Sequence, residues 1–283
     1  MFVLMTELRQ TVAYAKYMEL LGWDVDMLSG IYVYSKKIPL LGYFVKIQRP
    51  SKSVPLSEIE KLRKIKRTYS ITVEPSSDKQ LRYYQDYGFH ISKSLSLPSK
   101  TIQFDLRGDL ENVLKKMNPK TRYNIGLSER KGVKVKHSED IDSFVNFWHE
   151  SAKRRGFYLP LGKEIKSLCK AFGTKAHLVF AYFKSKLVAA VLLVTTKDTT
   201  HYMYAASSQV GNKYFAPTLL VWESLKLAKS LGSKTFDFEG IYDERYPLDA
   251  WKGFTRFKKG FGGKMIVYPG VLKKNYLISK ILP

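Results

Sequence analysis

The sequence predicts a mixed α/β (α+β) fold in two tandem domains, each a mixed central sheet flanked by helices. The chain has 283 residues, room for two domains of ordinary size. Apolar residues make up 45% of it, so sizeable cores form and the whole is not disordered. Helical and strand patterns alternate along its length. The second half reads helix, helix, hairpin, strand, loop, helix, strand, and the first half gives a blurred version of that order.

Taken in order, Glu7 to Leu21 reads as a helix ended by Gly22. Trp23 to Tyr34 and Leu41 to Ile47 alternate like strands, with Lys36-Lys37-Ile38-Pro39 as the turn between them. Ser57 to Lys66 is a short basic helix with a serine cap and Glu58 in its first turn. Tyr69 to Glu74 is a strand, Asp78 to Tyr87 a helix stopped by Gly88, and Ile102 to Leu106 a strand with every second residue apolar. Asp109 caps a helix from Leu110 to Met117, and Pro119 and Gly132 suit the first turn and the end of the next.

The second unit opens with a helix from Asp140 to Arg155, whose Phe144, Phe147 and Trp148 have core spacing. Lys163 to Phe172 is another helix. Ala176 to Phe183 and Lys186 to Thr196 form a hairpin about Lys184-Ser185. His201 to Ala206 is a strand, Pro217 to Ser230 a helix closed by Gly232, and Lys234 to Phe238 a strand that Gly240 breaks. A loop with Pro247 leads to Arg256-Phe257-Lys258-Lys259-Gly260-Phe261-Gly262-Gly263. Cations beside rings, next to backbone that glycine adopts cheaply, suit a site gripping an anion or a developing oxyanion. A solvated strand end with a glycine turn fits the same letters.

The net charge of +23 and pI near 9.8 favour polyanionic partners: nucleic acid, anionic lipid or a phosphorylated substrate. Charge does not choose among them. The single cysteine, Cys169, excludes an intramolecular disulfide, suits a reducing cytosol and sits in a helix-like run as a small core residue. One cysteine and five scattered histidines give no zinc spacing. The apolar start, Met1 to Met5, is too short for a signal-peptide core, and no run approaches the roughly 18 apolar residues of a membrane span, so a cytoplasmic protein is expected. The tail from Val271 to Leu282 mixes lysines with aliphatics, and suits a final strand or helix packed on the body or a segment on a membrane surface.

Asp237-Phe238-Glu239-Gly240-Ile241 followed by Arg256 to Gly263 resembles the C-terminal signature of the Fem-type (FemABX) aminoacyltransferases. Asn118 to Val135 is similar to the family's K-x-x-R-x-N-I-x-x-A-x-K-x-G-V stretch, with Ser128 where alanine is common, and Gly156-Phe157 to its R-x-G-F. The resemblance implies two tandem GNAT-like acyltransferase domains, here 1–136 plus 269–283 and then 137–268, with no room for the family's coiled-coil arm. It implies transfer of an amino acid from aminoacyl-tRNA to an amine of the peptidoglycan precursor stem peptide, carried by UDP-MurNAc-pentapeptide or lipid II. Peripheral contact with the inner membrane surface fits the charge and the tail.

The tRNA ester is already activated, so no cofactor is expected. Lys258 is the expected oxyanion cation, Phe257 dries and shapes its pocket, and Asp105 resembles an acid near the acceptor. Lys16, after Gln10-Thr11, and Lys213 fall where the family holds the acceptor diphosphate, and Arg256 and Tyr204 complete the expected substrate contacts. Glu239 departs from the small residue usual there. The loop Ser207 to Pro217, with one glycine and two bulky aromatics, is a poor cradle for coenzyme A and matches the family's S-x-x-x-x-x-x-x-A-P loop. Two other functions stay open on the residues: a GNAT-type acyl-CoA-dependent N-acyltransferase, and a non-enzymatic basic module binding RNA or membrane.

Overall fold

The computed structural model describes residues 7–156 and 160–276. A 3-10 turn, Leu8–Gln10, leads into α1 (Val12–Leu20), then β1 (Asp24–Leu28), β2 (Ile31–Ile38), β3 (Gly42–Gln48), α2 (Leu56–Lys66), β4 (Thr68–Glu74), α3 (Asp78–Gln85), β5 (His90–Ile91) and β6 (Lys100–Asp105). There follow α4 (Leu110–Lys116), α5 (Pro119–Arg130), β7 (Lys134–Ser138), α6 (Ile141–Arg154), α7 (Gly162–Phe172), β8 (Ala176–Phe183), β9 (Lys186–Thr195) and β10 (Thr199–Ser207). The chain ends with α8 (Gln209–Lys213), α9 (Ala216–Ser230), β11 (Thr235–Asp237), α10 (Ala250–Lys259), β12 (Lys264–Val267) and β13 (Leu272–Asn275).

Two compact units result: residues 1–100, 243–247 and 267–283, and residues 101–242 and 248–266. The expected boundary near residue 136 gives way to one at Lys100–Thr101. Backbone pairing decides this, because β6 runs antiparallel to β11, with Asp105 opposite Thr235. The stretch between β6 and β7 stays with that sheet.

In the first unit the strand order is β1-β2-β3-β4-β13-β5. Ile31, Val33, Val45, Ile47, Ile71 and Val73 are buried at alternate positions, and Ile59, Leu62 and Tyr84 cover them. One long strand was expected from Trp23 to Tyr34. Ser29 and Gly30, at φ 46° and 77°, instead turn the chain into a two-residue hairpin that pairs Leu28 with Ile31. The turn expected at Lys36 to Pro39 moves on, because β2 continues to Ile38. The tail is a strand through Asn275, paired with β4 and β5. Its remaining residues, like Phe157 and Met1 to Met5, lie outside the described ones.

The second unit has the order β12-β6-β11-β10-β9-β8-β7. The β8–β9 hairpin turns at Lys184-Ser185, both at positive φ as expected. α9 packs on β9 and α5, and an aromatic cluster of Phe104, Phe236, Phe238, Tyr202 and Phe261 fills the core beneath. Phe238 sits at its centre, with ring centroids 5.4 Å from both Phe104 and Tyr202. β10 and β11 are parallel only over Thr199–His201 and Thr235–Asp237, and a bulge at Met203 shifts the register of β10 against β9.

Candidate active site

A cleft of about 860 Å³ opens in the second unit where β10 and β11 part. Tyr202 to Ser207 form one wall and Phe238 to Gly240 another, while α10 supplies Phe254, Arg256, Phe257 and Lys258. The segment whose letters also fitted a solvated strand end is instead the last turn of a helix. Apolar Trp251, Phe254, Phe257 and the buried Thr255 repeat at helical spacing, and the cations fall where a helix C-terminus favours them. A glycine turn follows, with Gly262 and Gly263 at φ 79° and 85°.

Lys258 reaches back from that turn to β11. Its Nζ donates to the carbonyls of Phe238, at 2.8 Å, and Gly240, at 2.7 Å. It also lies over three rings, 4.9 Å from the centroid of Phe254, 5.5 Å from Phe238 and 5.8 Å from Tyr202. Burial pushes its pKa down to about 8, against the pull of Asp237 and Glu239. Two of its three N–H bonds are spent on carbonyls, so the ammonium is fixed in direction and a third N–H remains.

The turn it holds is strained. Glu239 has φ 57°, a left-handed backbone for a side-chain-bearing residue, and Gly240 follows at φ 139°. The Glu239 N–H donates to Asp237 Oδ1 at 2.7 Å, and its Oε1 lies 2.6 Å from His201 Nδ1. Asp237 is 3% exposed and also accepts from Thr101 and Gln103. Burial first, then the Glu239 carboxylate, push its pKa up.

His201, Asp237 and Glu239 are, among the described residues, the group whose donor atoms come close enough to hold a metal ion, all within 4.8 Å. Asp237 accepts from Thr101, Gln103 and the Glu239 N–H, Glu239 Oε1 meets His201 Nδ1, and Lys258 supplies the neighbouring positive charge. The group reads as a hydrogen-bonded support for the turn.

Of the expected site residues, Lys258, Phe257, Arg256 and Tyr204 come together on the cleft, where Tyr204 packs edge-on against Trp148 at 6.1 Å. Asp105 does not join them. It is 57% exposed at the end of β6 and held in a bidentate pair by Arg107, which brings its pKa down to about 2. A carboxyl so stabilised as the anion is a weak proton acceptor. Lys213 is exposed at the end of α8, outside the lining, with its Nζ 5.9 Å from the Tyr214 ring. Lys16 is exposed on α1 of the first unit.

Sequence reasoning missed His201, Arg155, Asn124 and Trp148. Arg155 is a third cation on the cleft, beside Lys258 and Arg256, its pKa lowered by burial and by Arg154. The signal for His201 is weak, since its partner Glu239 lies 38 residues further on.

Many N–H groups of the loop before α9 are engaged within the loop rather than turned toward a ligand. Gly211 N donates to Ser208 Oγ, Asn212 N to Ser208 O, Tyr214 N to Val210 O and Phe215 N to Asn212 O. Pro217 has no N–H, and those of Thr218 and Leu219 donate to Phe215 O. The loop's glycine serves packing: a Cβ on Gly211 would stand 2.1 Å from the Val188 carbonyl oxygen.

The crystal structure of FemX superposes with a TM-score of 0.82 at 16% identity, over 97% of this chain and 93% of that one. L-PGS from Bacillus licheniformis gives 0.62 at 13% identity, over 94% and 89%. A tandem GNAT protein from the clavulanic acid biosynthesis pathway gives 0.54 at 10% identity, over 87% and 82%. At these identities the likeness establishes the fold, two mixed sheets flanked by helices as in tandem GNAT proteins. No curated protein matches the chain in sequence. Among the described residues no helix is long and apolar enough to cross a membrane. The FemAB family matches residues 84–187 and again 183–280, the stretch that contains every wall of the cleft, and the chain therefore belongs to the FemAB family, peptidoglycan-related acyltransferases of the GNAT fold.

Proposed function

We propose that the protein moves an amino acid from aminoacyl-tRNA to an amine of the peptidoglycan precursor stem peptide. The observation that carries this is Lys258, a fixed, half-buried ammonium lining a cleft walled by aromatic rings. Acyl transfer develops a negative oxygen, and a preorganised cation in a partly dry site stabilises it without reorganising.

The acceptor nitrogen attacks the ester carbon of the aminoacyl-tRNA. The carbon–nitrogen bond forms, the carbonyl oxygen becomes anionic, and the third N–H of Lys258 meets it. The bond to the ribose oxygen then breaks. The proton lost by the amine ends on that ribose oxygen, and no ATP is consumed. Phe257 and Phe254 exclude water around the ammonium, and Arg155 and Arg256 bring further positive charge to the same cleft.

The engaged N–H groups of Gly211, Asn212, Tyr214 and Phe215, beside two bulky aromatics and a single glycine used for packing, support a donor other than acyl-CoA, because coenzyme A binding of this type needs several free, unobstructed amides around a pyrophosphate. UDP-MurNAc-pentapeptide and lipid II both present the required amine. In the test, charged tRNA, each acceptor and enzyme are incubated without ATP, and the acceptor mass is read. A gain of one amino-acid residue is expected with charged tRNA and none with acetyl-CoA. Turnover with acetyl-CoA alone would replace this reading with that of an ordinary N-acyltransferase.

A further inference from the structure

We propose that the outer face of α5 is an RNA-docking surface that delivers the donor's 3′ end to the cleft; this rests on the RNA-linked donor proposed above. Lys120, Tyr123 and Arg130 lie on the exposed side of the helix, while Ile125 and Ser128 are buried on the other. Tyr123 is 61% exposed, and the Arg130 guanidinium lies 6.0 Å from its ring centroid. Gly126 makes room for that stack, since a Cβ there would stand 3.1 Å from Arg130 Nη1. A bare ring with a guanidinium beside it is a stacking platform for an unpaired base.

The charge around the platform is predominantly positive, with Glu129 the one exposed acid of α5 among the described residues. Lys115 pairs with Glu111, but no ion pair is found for Lys116, Lys120, Arg130 or Lys131 among the described residues. Arg122 is excluded from the surface, because it donates to the carbonyls of Lys115 and Met117 and so closes the end of α4. Lys134 and Lys136 continue the run of exposed cations along β7.

The surface is continuous with the cleft. Asn124, next to Tyr123, lines it. The start of α5 abuts the end of α10: Asn118 N donates to Gly260 O at 2.9 Å, and one turn back Arg256 lines the cleft, with Lys259 exposed beside it. A backbone of phosphates following this path ends beside Lys258. Tyr123 is the sole large exposed apolar side chain on α5 and β7 among the described residues, so the face lacks the aliphatic groups that a membrane contact would insert.

The test uses an uncharged RNA hairpin bearing an acceptor stem and an unpaired CCA end, with fluorescence anisotropy as readout. Tyr123→Ala and the double variant Lys120→Ala/Arg130→Ala are each expected to weaken binding about ten-fold. The double variant should also lower the slope of log affinity against log salt by about one per lost phosphate contact. Both should raise KM for full-length charged tRNA while leaving transfer from an aminoacylated dinucleotide unchanged. Wild-type hairpin affinity in both variants overturns the proposal, as does equal loss with the dinucleotide donor. So does unchanged hairpin binding combined with lost pelleting on phosphatidylglycerol vesicles, which would make the face a membrane contact. If the wild type transfers from neither donor, the reaction proposed above falls, and hairpin binding still decides the surface.

Discussion

Lys258 joins structure and chemistry in one side chain. Its two carbonyl bonds hold a left-handed glutamate in place, and the same bonds aim its charge. Lys258→Ala should therefore cost stability as well as activity, of order 2–3 kcal/mol, because two carbonyls and two neighbouring carboxylates lose their cation. Thermal melting measures the first effect. The fall in transfer rate, about a hundred-fold or more, should exceed anything the unfolded fraction accounts for.

The pH dependence follows from the lowered pKa. The acceptor amine, with an ordinary pKa of about 10.4, becomes more nucleophilic as pH rises. The ammonium of Lys258 is lost above about 8. Single-turnover rates should climb to about pH 8 and then level off, whereas a reaction independent of Lys258 would keep climbing. Stability moves the other way. Between about pH 8 and the unfolded value of 10.5 the unfolded chain binds the extra proton, so wild type should gain stability relative to Lys258→Met as pH rises through that window.

At this scale the sequence made Lys258 legible through its run of rings, cations and glycines. It could not show that Glu239 carries its own hydrogen-bond partner, because His201 reaches it from another strand. Nor could it show that Arg107, two residues away, ties up Asp105.

Among the elements, α10 is one that the letters did not mark as a helix. Arg256 to Gly263 is dense in charge and glycine, and its last turn gives no strand or helix period alone. The helix shows only when Trp251 and Phe254 are counted in. Its docking on α5 is tight: a Cβ on Gly260 would stand 2.7 Å from Thr121 Oγ1. Gly260→Ala should destabilise the second unit by about 1–3 kcal/mol in urea unfolding, and adding Thr121→Ala should recover much of that loss. An unaltered midpoint in the single variant would contradict the packing. The first-unit hairpin was hidden by a different cause. Ser29-Gly30 is a turn signal, but the apolar alternation continues across it in phase, so periodicity alone joined β1 to β2.

For the whole molecule, the fold class was legible in the sequence and the duplicated order of elements only in blurred form, while the division at Lys100 was not legible. Element order counts helices and strands, whereas the boundary depends on which strand β6 pairs with, a contact 130 residues long in sequence. The net charge of +23 is likewise legible without its layout. With so many phosphate contacts on offer, affinity for tRNA should fall steeply with salt, by about ten-fold or more between 50 and 200 mM. Binding indifferent to salt would mean that the charge serves something other than RNA.

The most direct test is single-turnover transfer from charged tRNA to UDP-MurNAc-pentapeptide, read by mass, for wild type and Lys258→Ala at a temperature where both are folded. The wild type should add one amino-acid residue without ATP, and the variant should do so at least a hundred-fold more slowly. Transfer at the wild-type rate by the folded variant would remove Lys258 from the chemistry, and with it the mechanism.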